Sequence, residues 1–273
     1  MIVANARQVQ LIYRRKSKTD RSDALLLARL GRFDPTLLAP VHHRSRSAQL
    51  DLAGLRARDM LVGARTDLIN HVRGVLKPFG LRVSDCDSGA FAQRAEEVVP
   101  SELMPALGPV LECLRAVEVE VARKQVEHLA TVSYPETARL SQVRGVGPIT
   151  SLAYVLTIED PSRFTASRTV GRFAGLTPAK DQSGESDPEK HISKEGDPFL
   201  RRLLVQCAHF ILGPFGQDSD LRRWGLRLAE RGGKTARKEA IVAVARKLAV
   251  LLHRLWVSGK EYQPIGYGST MAA

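Results

Sequence analysis

The stretch that decides the fold lies at residues 47–76 and reads SAQLDLAGLRARDMLVGARTDLINHVRGVL. Its apolar side chains recur every three or four residues, which places them on one face of a helix as a heptad-like seam. A stop follows at Lys77-Pro78, because proline cannot continue the helical hydrogen bonds. The pattern therefore predicts one long helix. Its seam consists of Leu50, Ala53, Ala57, Met60 or Leu61, Ala64, Leu68, Val72 and Val75.

A second apolar seam begins after a polar loop and ends before Tyr134-Pro135. Two such helices joined by a polar insert predict an antiparallel helical hairpin of the coiled-coil type. That hairpin needs a partner to cover it, and a homo-oligomer would supply one. Two ordinary helices packed on their own domain are the equally open alternative. The second seam consists of Val110, Leu114, Val117 and Val121.

The charge balance points to a polyanionic partner. The chain has 41 Lys and Arg residues against 29 Asp and Glu, a formal net charge of +12. Guanidinium groups suit phosphate oxygens, so we expect nucleic acid rather than a membrane as the partner. The alternative is that the positive charge only keeps the protein soluble. The three cysteines form no paired motif, and neither a signal peptide nor a membrane span is recognisable. A cytoplasmic protein is predicted.

Two carboxylates stand in the run KTDRSDA at residues 18–24, at the start of a helical pattern. Asp20 and Asp23 are three residues apart, so both can point at one spot on a helix face. Mg²⁺ prefers such oxygen ligands and would support phosphodiester chemistry there. Only nineteen residues precede Asp20, too few for the sheet that normally supplies further carboxylates. The sequence therefore predicts half of an active site.

From residue 140 onward the chain becomes richer in glycine, serine and threonine. Gly145 and Gly147 resemble the turn of a helix-hairpin-helix, in which glycine lets the backbone approach a phosphate beside a helix N-terminus. A plain glycine turn between two helices is the alternative. Further on, Asp197-Pro198 predicts a helix start, with the aspartate as cap and the proline in the first turn.

Ser183 lies in a polar loop just before this helix start. A serine hydroxyl surrounded by cations can attack a phosphodiester, because the cations stabilise the developing charge. A simple turn serine is the alternative. His191 and His209 are candidate bases, but neither has a clear orienting carboxylate, and a solvated or core histidine is the alternative for both. The cations predicted to bind nucleic acid here are Lys190, Lys194, Arg201 and Arg202.

These motifs, taken in order, resemble the DEDD-type insertion-sequence transposases, whose later members are known as bridge-RNA-guided recombinases. The similarity covers nearly the whole chain. The matching stretches are KTDRSDA (18–24), LLAPV (37–41), GVGP (145–148), FAGLTP (173–178), QSGE (182–185), ISK (192–194), GD (196–197), LRRLL (200–204) and ARKLA (245–249).

The resemblance implies three parts and a mechanism. A resolvase-like domain of ribonuclease-H fold would bind Mg²⁺ through an Asp-Glu-Asp-Asp set, of which Asp20 and Asp23 resemble the last two members. A coiled-coil insert would follow, and then a small helical domain in which Ser183 resembles the nucleophile. DNA is the implied partner, and a guide RNA is an open further one.

We therefore expect a mainly α fold in three parts: a remnant of the resolvase-like α/β domain (1–46), the helical hairpin (47–138), and a C-terminal serine-bearing transposase domain (139–273). Since the segment with the first Asp and the Glu has no counterpart, the resemblance implies an N-terminally truncated member with impaired strand exchange. The alternatives are a catalytically inactive nucleic-acid-binding fragment and a helix-hairpin-helix scaffold of DNA repair.

Overall fold

A computed structural model describes residues 2–5, 9, 19–38, 40–41, 43–117, 119–179 and 190–266. Within these residues the protein has eleven α-helices, four short 3₁₀ turns and two isolated β-bridges, Ala4–Pro40 and Pro178–Ile192. The predicted mainly α fold is confirmed. The chain forms two compact units, Met1–Ser47 and Ala48–Ala273. Among the described helices, none combines the length and the apolar character that crossing a membrane requires.

The first unit contains helix α1, Asp20–Phe33. Thr19 caps it: its hydroxyl accepts from the backbone N–H of Ser22 at 3.2 Å, and the Ser22 hydroxyl reaches back to the Thr19 N–H. This reciprocal pairing satisfies two donors that a helix start leaves open. A short 3₁₀ turn, Pro35–Leu38, follows the helix.

The second unit holds the remaining helices, the first of which begins at its border. Their bounds are α2 Arg46–Leu76, α3 Phe91–Glu96, α4 Met104–Ala116, α5 Val119–Val132, α6 Glu136–Leu140, α7 Pro148–Ile158, α8 Val170–Phe173, α9 Pro198–Leu212, α10 Asp220–Ala229 and α11 Gly233–Ser258.

Helix α2 is the single long helix that its seam predicts, and the seam is buried at Val72 in its second half, whereas a different face is buried in its first half. Leu50 and Met60, two seam residues, are 63% and 74% exposed. The physical reason is that α2 is apolar on more than one face, and packing partners distant in sequence select the face that is covered. The second seam, in contrast, is divided between two helices: α4 ends at Ala116, and Val117 is extended. The buried side chains of α2 are Ala48, Leu52, Leu55, Ile69, Val72 and Leu76.

The second unit has two hydrophobic clusters. The larger cluster joins the start of α2 with α5, α7, α9 and α11. Helix α7 lies deep in it, since every residue from Thr150 to Ile158 is buried. The smaller cluster joins the end of α2 with α3 and α4. The region that follows α7 is therefore held on a well-packed helical base.

Candidate functional site

Two segments, Ala174–Ala179 and Lys190–Gly196, run antiparallel on this base, and we call them the arm. They hold residues 180–189 between their ends. The predicted nucleophile Ser183 is one of these residues and lies outside the described part of the chain. The main-chain hydrogen bonds of the arm run from Ala179 N to His191 O (3.0 Å), Ser193 N to Thr177 O (2.9 Å) and Lys194 N to Gly175 O (3.3 Å).

Two glycines allow the backbones at the base of the arm to approach each other closely. A Cβ on Gly175 would lie 1.9 Å from the Glu195 carbonyl oxygen, and a Cβ on Gly196 would lie 2.0 Å from that of Phe173. Both glycines also have positive φ, +68° and +83°. Larger residues do not fit, because backbone atoms occupy the space of a side chain. The two segments are thus fixed in close contact where the arm begins.

Arg201, on α9, links the two segments of the arm at their base. Its Nη1 donates to the carbonyl oxygens of Ala174 at 3.2 Å and of Glu195 at 2.9 Å, one on each segment. Arg201 was predicted to bind nucleic acid, and the structure places this nitrogen on the protein's own backbone. Its charge nevertheless lies at the base of the arm.

Arg202 is also occupied by protein groups. Its Nη2 lies 2.5 Å from Asp59 Oδ2, and its guanidinium carbon lies 5.4 Å from the centre of the Phe199 ring. The side chain faces α2 rather than the arm. Arg201 and Arg202, both predicted to bind nucleic acid, therefore make two separate structural contacts in the protein.

Asp197 caps α9, as the Asp-Pro pair predicts. Its Oδ1 accepts from the N–H groups of Phe199 at 2.8 Å and Leu200 at 3.1 Å. Arg56 of α2 binds the other oxygen at 2.5 Å. Since Asp197 directly follows Gly196, this cap ties the arm to both helices.

Four further predicted or candidate side chains are exposed. Lys190 and Lys194 lie on the arm, and Lys194 has a positive φ of 55°, which is uncommon for a residue with a side chain. His191 on the arm and His209 on α9 are exposed, and in the described structure neither bonds to a carboxylate. The arm thus presents two ammonium groups to solvent.

The glycine turn lies at the other end of α9. Gly145 has φ +98°, and a Cβ there would lie 2.8 Å from the Phe210 ring. Its small size therefore serves packing on α9. Gly147 caps α7 without a side-chain bond and has open space where a Cβ would be, so its backbone is open to approach. Phe210 follows Arg201 by nine residues, about 13 Å along a helix.

Asp20 and Asp23 occupy the first turn of α1, in the other unit. Asp20 is exposed and Asp23 is half-buried. The Oδ1 atom of Asp23 is buried and has no hydrogen-bond partner among the described residues. Those residues contain no group of three or more His, Cys, Asp or Glu side chains placed to hold a metal ion.

The sequence pattern did not predict a buried histidine in the last helix. His253 of α11 is 1% exposed, and its ring nitrogens lie 2.9 Å from Ser167 Oγ and 3.0 Å from Pro161 O. Since a carbonyl only accepts, Nε2 carries the hydrogen and Nδ1 accepts from the serine. Burial lowers the pKa of His253. Its signal was a lone histidine in the apolar run of the last helix.

Comparison with known proteins identifies the family. The model of the transposase IS116/IS110/IS902 family matches residues 137–220, which include the glycine turn and the arm. A DEDD transposase model of the IS110 type matches residues 1–80, which include Asp20 and Asp23.

Two relatives match over most of their length. The transposase for insertion sequence element IS1111A of Coxiella burnetii is 30% identical over 92% of this chain and 70% of its own. A probable family 20 transposase of Pseudomonas aeruginosa is 31% identical over 92% of this chain and 76% of its own. The chain therefore belongs to the IS116/IS110/IS902 family of insertion-sequence transposases.

Proposed function

We propose that the chain binds the DNA of its insertion sequence and exchanges strands with Ser183 as nucleophile. The observation that carries this proposal is the arm. Gly175, Gly196 and Arg201 fix both segments, so the serine-bearing residues start and end at defined positions. Lys190 and Lys194 add positive charge beside them. Cations beside a nucleophile favour attack on a phosphate, because they stabilise the charge that develops.

The proposed step forms one bond to phosphorus and breaks another. The Ser183 oxygen forms a bond to phosphorus, and the bond from phosphorus to one bridging sugar oxygen breaks. That oxygen takes a proton from water and becomes a free hydroxyl, while the serine proton passes to solvent. A hydroxyl of the second strand then attacks the phosphoserine and regenerates the serine. The lysines offset the charge that builds on the phosphate.

Asp20 and Asp23 would hold Mg²⁺. Both are hard oxygen donors on one helical turn, and the Oδ1 of Asp23, buried and without a hydrogen-bond partner among the described residues, suits a cation ligand. When bound, the ion would neutralise phosphate charge. The role of the two side chains is to position that charge, and the Thr19 cap holds the turn that carries them.

The finer architecture also belongs to this proposal. We assign residues 1–46 to a ribonuclease-H-like part, 47–138 to a helical hairpin, and the turn at Gly145 and Gly147 to a helix-hairpin-helix contact with phosphate. The exposed apolar face of α2 supports self-association through the hairpin. A guide RNA partner and a cytoplasmic location complete the assignment. The exposed residues of this apolar face are Leu50, Ala53, Ala57 and Met60.

The test is a covalent adduct. Purified protein is incubated with Mg²⁺ and labelled duplexes that span the DNA on either side of its reading frame, and then denatured and separated by size. Wild type should give labelled protein. Ser183→Ala should keep duplex binding and lose the adduct, and Ser186→Ala should keep both. An adduct that survives Ser183→Ala would assign the nucleophile elsewhere, and binding without any adduct would favour the inactive-fragment alternative.

A further inference from the structure

The charge of the protein is concentrated in α10, α11 and the turn between them. Residues 220–260 contain eleven Lys and Arg residues against three Asp and Glu, a net +8 of the +12 of the whole chain. We propose that this helical pair is a second phosphate-binding surface, which takes the sugar-phosphate backbone of a nucleic-acid duplex. The proposal rests on the proposed function and adds a contact that the arm and the glycine turn do not provide.

The geometry makes the charge accessible. Gly225 of α10 packs against α11, since a Cβ there would lie 2.4 Å from a methyl group of Val244. The turn between the helices uses Gly232 and Gly233 at φ +100° and +76°. The first buried residue of α11 is Ala240, so the turn and the first two helical turns project from the core.

Five exposed cations line this projection, and we call them the basic tip. In the part of the chain that the structure describes, none of them forms an ion pair, although Glu230 and Glu239 lie in the same stretch. Arg223, closer to the core, behaves differently and binds Asp218 at 2.5 Å. The basic tip consists of Arg227, Arg231, Lys234, Arg237 and Lys238.

The basic tip continues onto the side of the helical pair. Lys247 lies with Nζ 3.9 Å from the centre of the Trp224 ring, and partial burial together with the nearby Arg227 lowers the pKa of this lysine. Like charges held close together raise the energy of the unbound protein. A bound anion would relieve that repulsion, which gives the surface a physical reason to bind one.

A phosphodiester backbone fits this surface better than a lipid headgroup does. It offers a row of single negative charges, and the guanidinium fork matches phosphate oxygens. A membrane-binding helix needs large exposed apolar side chains as anchors. Between residues 220 and 260, all of which are described, Val257 is the one exposed large hydrophobic side chain, and it lies at the end of α11 away from the basic tip. We therefore infer a nucleic-acid duplex, with DNA and RNA as its two sources.

The experiment compares salt slopes. The full chain and a variant with Arg231→Gln, Lys234→Gln, Arg237→Gln and Lys238→Gln are titrated against labelled DNA duplex, RNA duplex of the same sequence, and phosphatidylserine vesicles. The slope of log Kd against log salt should fall by about 0.9 for each lost contact with B-DNA. We expect a fall of about 2 to 3.6 and at least a tenfold loss of affinity at low salt. The duplex that shows the larger fall identifies the source.

A matched control removes four exposed cations outside this surface and should change the slope by less than about 0.9. Circular dichroism confirms that both variants are folded. If the wild type binds no duplex, the proposed function itself fails. Three results with a wild type that binds duplex would overturn the basic tip as a duplex site. The tip variant could keep the wild-type salt slope, it could lose no more duplex affinity than the control variant, or it could lose affinity only for the vesicles. The control substitutions are Lys77→Gln, Arg82→Gln, Lys124→Gln and Arg168→Gln.

Discussion

The Nη1 atom of Arg201 donates a hydrogen bond to the carbonyl oxygen of Glu195 at 2.9 Å. Because it also reaches Ala174 at 3.2 Å, one guanidinium holds the two segments of the arm together. A hydrogen bond to a charged group contributes about 1.5–3 kcal/mol. The arm therefore depends on a side chain that the sequence pattern assigned to DNA.

Arg201→Ala should lower the free energy of unfolding by about 2–3 kcal/mol, since two carbonyl oxygens lose their donor. Arg202→Ala is the matched control, because its ion pair with Asp59 is partly exposed and worth at most about 1 kcal/mol. Urea denaturation measures both. Equal losses would contradict the role assigned to Arg201.

Lys194→Gly should make the protein more stable and weaken its binding of DNA. Glycine relieves the left-handed backbone at this position, which is worth up to about 1 kcal/mol. Loss of the ammonium group should reduce the salt slope by about 0.9 if it contacts a phosphate. Lys194→Ala removes the same charge and keeps a Cβ, so it should reproduce the binding loss without the gain in melting temperature. Unchanged binding in both variants would exclude Lys194 from the interface.

Mg²⁺ should bind weakly to the isolated chain at Asp20 and Asp23. Two carboxylates leave most of the six positions around this cation to water, so substrate phosphates are needed to complete the site. Calorimetry with Mg²⁺ or Mn²⁺ should show no micromolar affinity without DNA. The same titration of Asp23→Asn and Asp34→Asn, the latter a carboxylate outside the pair, tests specificity. Micromolar binding that is lost only in Asp23→Asn would show a complete site.

Stability should fall as the pH drops below about 6.5, the ordinary pKa of histidine. The folded-state pKa of His253 is lowered, so the unfolded chain binds the proton more readily, and acid therefore favours unfolding. His253→Gln should be less stable than wild type at pH 7.5, but its free energy of unfolding should change less between pH 7 and 5. His71→Gln, at an exposed position on α2 without a hydrogen bond in the described structure, is the control. A His253→Gln protein with the wild-type pH slope would refute the assignment.

Local signals predicted helix ends well. The Lys77-Pro78 stop and the Asp197-Pro198 start each act within a few residues, and the structure ends α2 at Leu76 and begins α9 at Pro198. The buried face of α2 was not predictable in the same way. Leu50 and Leu52 are equally apolar in sequence, and only contacts with α5 and the C-terminal helices decide that Leu52 is covered.

The arm escaped prediction for a related reason. Gly175 and Gly196 are far apart in sequence, and nothing periodic indicates that their backbones touch. The role of Arg201 follows from that contact, because the two carbonyls it binds lie side by side only after the arm has formed. The sequence identifies the family motif that contains Arg201, but only the three-dimensional structure shows that this arginine bonds to the backbone of the arm.

Helix α2 connects distant parts of the second unit. It spans 31 residues, about 46 Å at 1.5 Å per residue, and its side chains are buried in both clusters. Arg56, in its first half, grips the aspartate that caps α9 beside Gly196. The helix therefore joins the base of the arm to the smaller hydrophobic cluster, whose residue Leu76 lies about 30 Å from Arg56 along the helix axis.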